Sequence, residues 1–139
     1  MHNCLFCKIG NGDIPSVKIY EDDRMVAFLD ISQTTKGHTL IIPKKHFENI
    51  YDLDEETIIY LYKHVPQIAK AITQAFHAKG INIVNNNGKD AGQTVFHYHI
   101  HLIPRYNEED GFRAIYTSQM DKYSKEDLEI IAQRIREEL

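Results

Sequence analysis

His97-Tyr98-His99-Ile100-His101-Leu102-Ile103 places a histidine at every second position, with aromatic or aliphatic residues between. Strict alternation is the period of a β-strand, so the three imidazoles share one face, and Tyr98, Ile100 and Leu102 supply a buried reverse face. The strand is predicted to run from about 95 to 103. At roughly 3.3 Å per residue, His97 and His99 lie about 6.6 Å apart, and His97 and His101 about 13 Å apart. One metal ion cannot hold all three. A row of imidazoles with separate tasks, in front of a bound substrate, is the better reading.

Directly upstream runs Asn86-Asn87-Gly88-Lys89-Asp90-Ala91-Gly92-Gln93-Thr94, a loop of small, amide and hydroxyl residues. Glycine and alanine keep side chains out of the way, so backbone N–H groups can approach an anion closely, and phosphate is the natural candidate. A neutral imidazole is a good nucleophile near pH 7. It can attack phosphorus and split one hard displacement into two easier ones through a covalent intermediate.

Cys4-Leu5-Phe6-Cys7 is half of a tetrahedral zinc site. A thioredoxin-like redox pair would want a βαβ context that this N-terminus lacks. Of the eight histidines, His46 and His97 complete the set best. His46 follows a predicted strand in Pro43-Lys44-Lys45-His46, and His97 is the member of the row least needed at phosphorus. Four protein ligands leave no open position, so such a zinc ion is structural. His2, His38, His64 and His77 read as surface or helix residues.

Outward from these motifs, Ser16 to Glu21 and Met25 to Asp30 are β-prone runs joined by Asp22-Asp23-Arg24, a hairpin. Thr39 to Pro43 and Ile81 to Val84 are further strands. Asp52-Leu53-Asp54-Glu55 has capping-box spacing and is expected to start a long helix, with Gly80 as its left-handed C-terminal cap. Ile58, Leu61, Val65, Ile68, Ile72 and Phe76 mark its buried face, and Pro66 interrupts its backbone bonding. Ser124-Lys125-Glu126-Asp127 opens a last amphipathic helix over about 125–138, with Leu128, Ile131 and Ile135 on one face. The order predicts an α+β fold: a roughly five-stranded antiparallel sheet with one long central helix and a C-terminal helix.

A chain of 139 residues suits a single domain, 1–139. A net charge of −4 with no long block of one sign argues against nucleic-acid or anionic-membrane partners. The N-terminus leads into no apolar run of signal length, and nowhere do 18 apolar residues follow one another, so a cytoplasmic protein with reduced cysteines is expected.

Together, His97 to Ile103, the preceding Gly92-Gln93-Thr94-Val95-Phe96, Asp30-Ile31, Ile41-Ile42-Pro43-Lys44-Lys45-His46 and Asn86-Asn87-Gly88 resemble the histidine triad family, in the branch that carries Cys-x-x-Cys. The resemblance covers roughly residues 4 to 105. It implies a homodimer with two active sites, and a nucleotide hydrolase that cleaves a nucleoside monophosphate, with a purine base, from a leaving group such as the amine of adenosine phosphoramidate. In that family the middle histidine is the nucleophile, which falls on His99, and the next contacts the phosphoryl group, which falls on His101. Gly92, Gln93 and Thr94 match the phosphate loop, and Asn86 a position near the leaving group. Asp30 matches the carboxylate that binds the ribose hydroxyls, with Ile19, Phe28, Leu29 and Ile31 around base and sugar. The zinc ligands of that branch match Cys4, Cys7, His46 and His97. Arg105 to Leu139 departs from the phosphoramidate-cleaving members, many of which end soon after the triad. Hydrolysis of dinucleoside polyphosphates, or nucleotide binding in the service of a protein partner, are the rival readings.

Overall fold

A computed structural model describes residues 3–139. The elements are α1 (Leu5–Asn11), β1 (Lys18–Glu21), β2 (Met25–Leu29), β3 (Thr39–Pro43), α2 (Glu55–Phe76), β4 (Gly80–Val84), β5 (Ile100–Arg105) and α3 (Lys125–Glu138). The strands form one sheet in the order β1-β2-β3-β5-β4, antiparallel throughout. The architecture is the α+β arrangement expected, a five-stranded sheet with a long central and a C-terminal helix.

Side-chain alternation sorts the sheet into two apolar faces. Met25, Ala27, Ile41, Ile100 and Leu102 pack with Leu61, Val65, Ile68 and Ile72 of α2. Val26, Phe28, Leu40 and Ile42 point the other way, where Phe6 and Ile9 of the short α1 meet them. A seven-residue helix covers far less than α2 does, so the second face keeps open ground beside the histidines.

Several boundaries differ from the sequence reading, each for a local reason. The long helix is capped by Asp54, whose side chain accepts from the Thr57 amide at 2.7 Å, not by Asp52. Asp52 instead accepts the Glu48 and Asn49 amides and closes the preceding turn. His77, at φ 56°, takes the left-handed C-terminal position, and Gly80 already belongs to β4. The strand carrying the histidines begins at Ile100, not at 95, and runs on to Arg105. Continued pairing beyond Ile41↔Ile100 would bring Pro43 into the ladder. Pro43 has no N–H to give, and its carbonyl is taken by the His97 ring at 2.7 Å. Only His101 therefore sits in the ladder, between Leu40 and Val84, while His97 and His99 lie on the approach to it. In α3 no residue is buried: Leu128, Ile131 and Ile135 are exposed. No helix among the described residues is long and apolar enough to cross a membrane.

Candidate functional site

His97, His99 and His101 divide between two neighbouring clusters. His97 is fully buried, and its Nδ1 lies 3.3 Å from the Cys4 sulfur and 3.5 Å from that of Cys7. Cys7 Sγ is in turn 3.4 Å from Nδ1 of His46. One donor atom from each of Cys4, Cys7, His46 and His97 lies within 4.8 Å of the others. A tetrahedral ion with bonds of about 2.0–2.3 Å sets its ligands roughly 3.3–3.8 Å apart, so these sulfur–nitrogen separations are edges of such a polyhedron. His97 Nε2 donates to the Pro43 carbonyl, which leaves Nδ1 with its lone pair toward the sulfurs. Burial, then the neighbouring Cys4, pushes the Cys7 thiol up to about 11. A dication reverses that preference, and these four residues could hold one.

The local folding follows from the same residues. Cys4 is the N-cap of α1 and accepts from the Cys7 amide at 3.3 Å. Gly12, at φ 82°, ends the helix in the left-handed conformation. His46 leaves β3 just ahead of Phe47, whose carbonyl accepts from the Tyr98 amide.

His99 is 6% exposed, and its Nδ1 donates to the carbonyl of His97 at 2.7 Å. That bond assigns the proton to Nδ1 and leaves Nε2 with a lone pair. Burial lowers the pKa of His99 below the ordinary histidine value, against the opposing influence of the His97 carbonyl and of Asp30. Phe6 stands edge-on to the His99 ring, with centroids 5.0 Å apart.

Phe6 also lines an apolar cavity of about 500 Å³, with Phe28, Leu29, Asp30, Ile31 and Leu40 among its walls. Ile19, on β1, is outside this set and half exposed. Asp30 is held by Ser32, whose amide and hydroxyl both donate to Oδ1, at 2.8 and 2.7 Å, leaving Oδ2 uncommitted to them. Burial alone would raise this carboxyl, but the Ser32 bonds and then His38 and His101 hold it below the usual carboxylate range.

His101 Nδ1 is 2.9 Å from Nε2 of His38, and that Nε2 is 3.7 Å from Asp30 Oδ2. With a carboxylate beside Nε2, the proton belongs there and is donated to His101, which then carries its own proton on Nε2 as a free donor. Burial first, then His99 and His38, lower His101 to about 4. The sequence reading missed His38, expected at the surface and in fact 3% exposed. Its signal was the alternation His38, Leu40, Ile42 into β3, which sets it on the face of the row. Phe6 and Ser32 were missed too.

In the loop before the histidines, Gln93 is buried. Its amide donates to the carbonyls of Glu48 and Val95 and accepts from the Gly88 amide. The side chain is thus spent on holding the loop. Asn85 donates to the His99 carbonyl, and Asn87 ties Asn85 to Ile50. Asn86 is the one of the three whose side chain has no hydrogen bond among the described residues. Gly92, at φ 92°, and exposed Thr94 complete the loop.

The segment after β5 buttresses the loop between Asp30 and His38. Tyr106 donates its hydroxyl to the Lys36 carbonyl at 2.6 Å, and Asp110 accepts from Arg105 and from the Tyr106 amide. Gly111 lies so close that a Cβ there would stand 2.3 Å from the Thr34 carbonyl oxygen. Gly111→Ala is expected to cost about 1–3 kcal/mol, the usual range for an overpacked site. A urea melt with an unchanged midpoint would contradict that packing.

Fold and site define a class of small α+β proteins in which a row of histidines at the end of an inner strand packs against Phe6, itself a wall of an apolar cavity edged by a carboxylate. The chain belongs to the HIT domain family, whose model matches residues 11–108. Protein hit of Bacillus subtilis is 54% identical over 137 residues, covering 99% of this chain and 94% of that protein. An adenosine 5'-monophosphoramidase of Schizosaccharomyces pombe is 43% identical over 109 residues, 78% of this chain and 79% of that one. The crystal structure of a Zn-bound histidine triad family protein from Mycobacterium smegmatis is 36% identical, with a TM-score of 0.75 over 96% of this chain and 98% of that one.

Proposed function

We propose that this protein hydrolyses a nucleoside monophosphate joined to a leaving group, in the manner of an adenosine phosphoramidate, through a nucleotidyl-histidine intermediate on His99. The observation that carries the reading is the bond from His99 Nδ1 to the His97 carbonyl, which leaves Nε2 unprotonated on a ring that packs against Phe6 of the cavity wall. The name of the Schizosaccharomyces pombe relative points to the same reaction class.

A bond from Nε2 to phosphorus forms as the bond to the leaving group breaks, and the departing amine takes up a proton from solvent, which the attacking water of the second step returns. Water then displaces the nucleotide and restores the neutral imidazole. The Nε2 proton of His101 stabilises charge on the phosphoryl oxygens in both steps. Asp30 Oδ2 takes the ribose hydroxyls, Phe28, Leu29 and Ile31 border the purine, and Asn86, Gly92 and Thr94 form the anion loop. Zinc in the Cys4, Cys7, His46, His97 set cross-links α1 to the backbone that carries His99 and takes no part in the chemistry.

A homodimer fits the same reading. β4 is an edge strand that leaves Ile83 exposed, and Ile115, Tyr116, Leu128, Ile131 and Ile135 on residues 113–139 are uncovered as well. A second copy would cover such exposed apolar side chains.

Because the active imidazole is neutral and burial lowers its pKa, protonation sets in only below the ordinary value of about 6.5. The acid limb of kcat/KM is therefore expected below pH 6.5, with full activity at pH 7; a limb centred at or above 7 would contradict the buried nucleophile. The leaving group is tested by comparing kcat/KM for adenosine phosphoramidate and for a diadenosine polyphosphate. A preference for the phosphoramidate is expected. A preference for the dinucleotide overturns that choice of leaving group, and no turnover of either overturns the hydrolase reading.

A further inference from the structure

Asp30, His38 and His101 form a second convergent group, apart from the cysteine cluster. One donor atom from each lies within 4.8 Å of the other two. The three come from different elements: Asp30 follows β2, His38 precedes β3 and His101 lies on β5. Their positions are fixed by more than the sheet. The Asp30 amide donates to the His38 carbonyl at 3.0 Å. Gln33, held at φ 43°, donates its side-chain amide to the carbonyls of both Asp30 and His38, at 2.7 and 2.8 Å. Ser32 occupies Asp30 Oδ1, so Oδ2 is the oxygen left to face the imidazoles.

Two imidazoles and a carboxylate with free positions are a donor set that borderline first-row cations favour. Around a cation with bonds of about 2.1 Å, neighbouring ligands stand roughly 3.0 Å apart in octahedral and 3.4 Å apart in tetrahedral geometry. The 2.9 Å between the two rings matches the octahedral edge, and the 3.7 Å from ring to carboxylate is longer than either edge, so Asp30 Oδ2 must close in by a few tenths of an ångström to share the ion. We propose that Asp30, His38 and His101 are a second, open metal site for a divalent first-row cation such as Zn²⁺ or Co²⁺, and that a cation there excludes a nucleotide from Asp30.

Coordination requires no net proton loss. The proton shared between the rings moves to Nδ1 of His38, an atom with no hydrogen-bond partner among the described residues, and His101 keeps its proton on Nε2. Both rings stay neutral ligands. The cation takes the place of the shared proton, so the site alternates between a hydrogen-bonded and a metal-bound form. Metal binding stands on this geometry alone, whereas the exclusion of nucleotide rests on the ribose role proposed for Asp30.

The test is a Co²⁺ titration of protein whose cysteine site is already filled with zinc, followed by visible absorption. One further equivalent per chain is expected, with d–d bands and without thiolate-to-cobalt charge transfer. In His38→Gln that equivalent should bind at least tenfold more weakly, with zinc still present at one per chain as the check on folding. In the native chain adenosine, which lacks a phosphate to chelate the metal, should raise the apparent Kd for Co²⁺ at least severalfold. No second equivalent at millimolar Co²⁺, one that carries a thiolate band, or one unchanged in both His38→Gln and Asp30→Asn would overturn the site. A second equivalent lost in His38→Gln but indifferent to adenosine would uphold the site and overturn the ribose role of Asp30.

Discussion

His99→Ala is expected to lower turnover by on the order of 10⁴-fold or more, with nucleotide affinity changed only severalfold. The asymmetry follows from what the side chain touches. Its ring donates to the His97 carbonyl and packs against Phe6, one wall of the cavity, while the remaining walls and Asp30 come from α1, β2, β3 and the loops beside them. Removing the ring deletes the nucleophile and leaves those walls standing. Water must then attack phosphorus directly, without the covalent step that divides the barrier. Steady-state rates together with equilibrium binding of AMP separate the two effects. A variant that keeps a tenth of native turnover would show that another group attacks phosphorus, and one that loses binding in proportion to turnover would show that His99 acts as a packing residue.

Stripping metal with a chelator is expected to lower Tm by about 14 °C. A cation held at about a thousand times its Kd contributes about 4.1 kcal/mol. Unfolding entropy of about 2.1 cal/mol/K per residue, over 139 residues, is about 0.29 kcal/mol/K, and the quotient gives the shift. The effect should extend to catalysis. His97 carries the carbonyl that fixes the His99 tautomer, and with the cation gone its ring loses Cys4, Cys7 and His46 as co-ligands. Calorimetry before and after chelation, with zinc restored afterwards, checks both. An unchanged Tm after complete removal of metal would mean that hydrogen bonds from sulfur to imidazole suffice to close the site.

The parts of the fold that sequence could reach were those with local signals. Ser124 and Asp127 share reciprocal cap bonds, and α3 starts where their spacing predicted. The Asp22-Asp23-Arg24 turn joins β1 to β2 because Asp22 accepts the amides of Arg24 and Met25. The cysteine cluster was legible since Cys-x-x-Cys demands partners and His46 and His97 were the histidines with a place for them. What escaped was decided by distant residues. The strand boundary at Ile100 depends on Pro43, more than fifty positions upstream, and Asp52 and Asp54 offer equivalent caps until the turn at Glu48 claims the first. The alternation of His38 with Leu40 and Ile42 told its face but not its partner, which comes from β5, the strand that brings His101 against it. The role of Gln93 escaped for the same reason, since the Glu48 carbonyl that binds its amide is 45 residues away.

The decisive measurement is intact-mass analysis of rapidly quenched reactions between the protein and adenosine phosphoramidate, followed by peptide mapping of any adduct. A transient nucleotidyl adduct on His99 is expected, formed and discharged at rates that match steady-state turnover. Turnover without an adduct at any time, or an adduct mapped to His97 or His101, would contradict attack by His99.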